Sequence, residues 1–209
     1  MPSLLESAEE LDLFRRALTP RGVSIDDRTF EAVATTEERV VVPDYSAWEM
    51  IDEVLVADGV RFMDHTPLFE DHRSYTSGAN IGHVTETRQD GRQWIAKTQV
   101  AEPFDERDPA GRAWARVRDG HQRDVSIGYW PESYVDIDAG ESAAVAGRRF
   151  TAGKRRLRVV TDTLVYELSL VGIGADPHAK VRRAWAAGRT HQTTPRRPQP
   201  PTAVITEFR

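Results

Sequence analysis

A mainly β fold, an all-β barrel or an α+β domain built around one, is predicted by three features of the 209-residue sequence. Short runs rich in β-branched and aromatic residues recur through its middle, which is the composition of strands. Internally, two stretches carry helix-start signals. No repeat of about 20–50 residues recurs, which argues against a solenoid or propeller.

In chain order, residues 3–18 place Leu4, Leu11, Phe14 and Leu18 on one stripe, with Ser7 and Glu10 spaced as a capping box; an amphipathic helix is expected within residues 1–20. The runs "RTFEAVATT", "RVVVPD" and "QWIAKTQVA" read as strands, as do "DVSIGYW" and the long "RLRVVTDTLVYELSLVGI". "FDERDPAGRAWARVRDG" and "DPHAKVRRAWAAG" read as short helices with proline near their starts. Residues 21–187 form the expected domain. Residues 188–209, rich in Pro, Arg and Thr, read as a disordered tail or linker.

Composition narrows the chemistry. The chain has no cysteine, so disulfides, a thiolate nucleophile and cysteine-type zinc sites are excluded, and no cofactor or metal is expected. A formal charge of −5 argues against a general nucleic-acid binder, and the basic run "GRRFTAGKRRLR" reads as a solvated hairpin turn. No apolar run approaches the about 20 residues that cross a bilayer. The acidic start lacks the features of a secretion signal, so the protein is expected to stay where it is made.

Within "RDVSIGYWP", Ser126 sits mid-strand and is followed by glycine and two aromatics. A serine nucleophile needs a histidine base and a group that orients the histidine. His72, after the apolar pair of "PLFEDH", is exposed at a loop; His65 is a competing imidazole. Glu167 lies inside "TLVYELSLVGIG", where strand alternation puts Val165, Glu167 and Ser169 on one face. A carboxylate there either faces solvent or has a specific partner, since burying an unpaired charge is costly. Taken singly, each residue reads as an ordinary surface or strand position, and Asp71 and Asp162 stand as other orienting carboxylates.

The order "PLFEDH", "IGHV", "VSIGYWP", "YELSLVGIGADPHAKV" over roughly residues 27–182 resembles the prohead proteases of tailed bacteriophages, distantly related in fold to the herpesvirus assemblins. The opening "RTFEAVATTEERVVVPDYSAWEMIDEVL" is similar to that family's first strands. The resemblance implies a closed β-barrel of herpesvirus-protease type with flanking helices. It places the catalytic histidine on His72, the nucleophile on Ser126 and the acid on Glu167. Gly128 would let substrate or backbone approach, and the "GIGAD" loop would offer oxyanion donors. The implied activity is a serine endopeptidase that cleaves scaffolding protein, major capsid protein or both during procapsid maturation, and that also processes itself. It would act in the host bacterial cytoplasm inside the assembling procapsid, with no membrane or direct nucleic-acid partner and with room for a homo-oligomer. Two readings stand beside it: a non-catalytic capsid-assembly or scaffolding protein on the same fold, and a binding module presenting "EDHRSYTSG".

Overall fold

The computed structural model describes residues 22–105 and 107–182. The expected N-terminal helix and the 188–209 tail lie outside the described residues. Inside them, the chain is mainly β, as the sequence predicts.

The strands are β1 (Val23–Ser24), β2 (Thr29–Thr36), β3 (Val40–Asp44), β4 (Glu49–Leu55), β5 (Val60–Phe62) and β6 (Pro67–Glu70). They continue with β7 (Asn80–Asp90), β8 (Gln93–Val100), β9 (Asp124–Ile137), β10 (Ser142–Val145), β11 (Arg148–Thr151) and β12 (Leu157–Val171). All but the β10–β11 hairpin join one sheet, in the order β1-β2-β8-β7-β6-β12-β4-β3. The 15-residue β12 is its spine: β4, β5 and β6 run parallel along one edge, and β9 runs antiparallel along the other. A strand this apolar suits a position with neighbours on both sides.

The sheet curls into a half-barrel, and the closed barrel implied by the resemblance is not formed. The physical reason lies at the seam between β9 and β2. There the two strands are hydrogen-bonded through Ala179–Arg182 rather than to each other: the Val125 N–H donates to the Ala179 carbonyl and the Val181 N–H to that of Arg123. On the other side the Val33 N–H donates to the Lys180 carbonyl and the Arg182 N–H to that of Glu31. This extended link satisfies two strand edges that would otherwise be bare. It also corrects the expectation of a helix from residue 176, because the described part of that segment makes β-bridges instead. Beyond the link the seam stays open.

Among the described residues one α-helix, α1 (Pro109–Asp119), forms where expected. Asp108 caps it by accepting from the Ala110 N–H at 2.8 Å, Pro109 occupies the first turn, and Gly120 ends it at φ 83°. Trp114 and Val117 pack into the main core with Phe30, Leu68, Ile81 and Leu168. On its other side Arg116 holds the buried Glu70 at the end of β6, so the helix braces the strand end on which the candidate base depends.

The basic run folds as the β10–β11 hairpin and the turn after it. Four of its five arginines are engaged internally: Arg148 with Glu37, Arg155 with Asp52, Arg156 with Asp44 and Asp136, and Arg158 with the same two aspartates. No helix among the described residues is long and apolar enough to cross a membrane.

Candidate active site

The site grows from the middle of β12 and its two neighbours. Opposite β12, Ser126 of β9 is the cross-strand partner of Ser169, and Gly128 is that of Glu167. Cross-strand partners share a face, so Ser126, Gly128, Glu167 and Ser169 lie together. A register shift between Val165 and Glu167 marks a bulge at Tyr166. The bulge sends Tyr166 and Glu167 toward Gly128 and leaves Val165 in the core with Val160 and Leu55. Strict alternation, which would keep Val165 with Glu167, therefore fails at this point.

On the other edge, β6 pairs in parallel with β12 and ends at Glu70. Asp71 and His72 then take left-handed conformations, at φ 52° and 55°, and turn the chain over the end of β12. The Asp71 N–H donates to the Leu170 carbonyl at 2.9 Å and the His72 N–H to Ser169 Oγ at 3.2 Å. Asp and His tolerate this backbone region better than most side chains, and the two bonds hold the turn in it.

His72 Nδ1 and Glu167 Oε1 are 2.5 Å apart. Glu167 is 1% exposed. Its second oxygen accepts from Ser169 Oγ at 2.5 Å, so the carboxylate is engaged from both sides. The hydrogen bond to Glu167 raises the His72 pKa above its ordinary 6.5, outweighing partial burial, which acts in the opposite direction. With Nδ1–H as the donor, the lone pair falls on Nε2.

Gly128 also meets a packing demand. A Cβ there would lie 2.4 Å from Glu167 Oε1 and 2.8 Å from Tyr166 Cζ, so the missing side chain makes room for the buried carboxylate. In the "GIGAD" loop, the Gly174 N–H donates to Asp124 Oδ2 at 3.1 Å and is thereby committed away from an oxyanion.

His72, Ser126 and Glu167 all line one cleft of about 840 Å³, which opens at the β2–β9 seam and extends to β3. The Ser126 hydroxyl has no hydrogen-bond partner among the described residues. The alternatives resolve by position. His65 stacks on His83, with ring centroids 5.7 Å apart, and does not line the cleft. Asp162 pairs with Arg61 on the surface. Ser169 is the site residue that sequence reasoning left without a role, although its parity with Glu167 on β12 was the available signal.

No protein-family model, curated protein or solved structure matches the chain.

Proposed function

We propose that the chain is a serine endopeptidase of the prohead-protease kind, which cleaves scaffolding or major capsid protein during procapsid maturation and also processes itself. One observation carries the proposal: a buried carboxylate holds His72 by Nδ1, and the same cleft contains a serine hydroxyl with no hydrogen-bond partner among the described residues. In this mechanism His72 Nε2 takes the Ser126 proton as Oγ attacks the peptide carbonyl, and Glu167 stabilises the imidazolium that results. The protonated His72 then gives its proton to the leaving amine, and water hydrolyses the acyl-enzyme by the same route. On this reading the half-barrel is an opened form of the herpesvirus-protease barrel. The work takes place in the host bacterial cytoplasm, within the procapsid.

A second reading, a non-catalytic capsid-assembly protein, is favoured by the absence of a Ser126–His72 hydrogen bond. Catalytic hydrogen bonds are often long in the unliganded state, which is why the first reading is preferred. Two measurements separate them. A fluorophosphonate should label the wild-type protein and leave Ser126→Ala unlabelled. Co-expression with coat and scaffolding proteins should give truncated products by mass with the wild type and none with the folded Ser126→Ala variant. Absence of labelling together with intact coat and scaffold would favour the assembly protein.

A further inference from the structure

We propose that Glu53 forms the floor of a side-chain pocket in this cleft and selects substrates carrying a basic residue, lysine or arginine, near the scissile bond. The proposal rests on the peptidase reading and adds the substrate class.

Glu53 projects from β4 into the cleft and is 3% exposed. One oxygen accepts from the Tyr129 hydroxyl, three residues beyond Ser126 on β9. The other has no hydrogen-bond partner among the described residues. Glu53 lines the cleft, and this oxygen is not among the fully enclosed unpaired side-chain atoms of the described residues.

The charges around it do not balance. Arg156 and Arg158 are both bound by Asp44 and Asp136, and Arg156 also by Glu49, so two cations already face three anions. No cation pairs with Glu53 within salt-bridge distance among the described residues. Withdrawal from water disfavours the charged carboxylate, Arg158 opposing this only from beyond salt-bridge distance, and a ligand cation removes that cost. The surrounding walls include Val42, Leu55 and the Tyr129 ring. These suit the aliphatic stem of a lysine or arginine whose charged end reaches the floor. An acidic side chain would meet a like charge there.

The peptidase is incubated with a proteome-derived peptide library, and cleavage positions are read by mass spectrometry. Lysine and arginine should be enriched at one fixed position relative to the cut. For a peptide with lysine at that position and its norleucine counterpart, the ratio of kcat/KM values should fall at least about 30-fold in Glu53→Gln, the effect of losing one partner of a buried charge pair. Glutamine keeps the shape and can still accept from Tyr129. A binding measurement on Ser126→Ala judges the pocket apart from catalysis. Agmatine should bind saturably, and Ser126→Ala/Glu53→Gln should lose that binding. Cleavage without basic preference, an unchanged ratio in Glu53→Gln, or agmatine binding that is absent or indifferent to Glu53 would overturn the proposal. Cleavage by Ser126→Ala would instead overturn the assignment of the nucleophile.

Discussion

Replacing Gly128 by alanine tests the site through packing alone. The added Cβ would stand 2.4 Å from Glu167 Oε1 and 2.7 Å from its Cγ. That is about 1 Å closer than non-bonded atoms comfortably approach, so the carboxylate must move by a comparable distance. It cannot move freely, because His72 and Ser169 hold its two oxygens. Overpacking of this kind costs about 1–3 kcal/mol, and for a chain of this size each kcal/mol lowers the melting temperature by about 2–4 °C. The expected melting temperature therefore falls by about 2–12 °C. Displacing an orienting group by about 1 Å should slow cleavage about 10²-fold. Circular-dichroism melting and the rate of scaffold cleavage measure the two effects. Glu167→Asp shortens the side chain by about 1.5 Å, so Gly128→Ala/Glu167→Asp should recover melting temperature without recovering rate, even if the single variant fails to fold. Unchanged stability and full activity in Gly128→Ala would refute the placement of the carboxylate against Gly128.

Four further outcomes follow from the same geometry. Because the general base must be neutral and Glu167 raises its pKa, the acid limb of the wild-type rate profile should lie above pH 6.5. Glu167→Gln should move that limb to lower pH and cut turnover by about 10²–10⁴. The same shift makes a stability statement: the His72–Glu167 contribution is fully present below the unfolded value of 6.5 and is lost as pH rises through the raised folded value. Glu167→Gln should accordingly lower the melting temperature more under mildly acidic than under alkaline conditions. Ser169→Ala leaves Glu167 Oε2 and the His72 N–H without their partner and should cost about 1–3 kcal/mol in denaturant unfolding, with slower cleavage. His72→Ala should abolish cleavage, whereas His65→Ala, which alters only the stack on His83, should keep most of it.

The sequence made α1 legible because its signals are local: Asp108, Pro109 and Gly120 stand where a cap, a first turn and a stop require them. Alternation located β2, β8 and the core of β12. It could not show the bulge at Tyr166, since a bulge depends on the partner strand as much as on its own residues. The same limit explains residues 179–182, whose extended form is imposed by the unpaired edges of β2 and β9. The His72–Glu167 pair emerged from the order of motifs and their resemblance to a family, because a histidine at a loop and a glutamate in a strand carry no signal of meeting 95 residues apart. Gly128 was legible as a special position, but the reason for it lies across the sheet.

The link at Ala179–Arg182 has a consequence for the timing of folding. Its bridge to β2 pairs Ala32 with Val181, about 150 positions apart and a highly non-local contact. During synthesis β2 emerges early, and its open edge must wait until residue 182 has cleared the ribosome. The link that frames the cleft therefore forms only at a late stage of chain elongation, so a half-made chain lacks an ordered cleft.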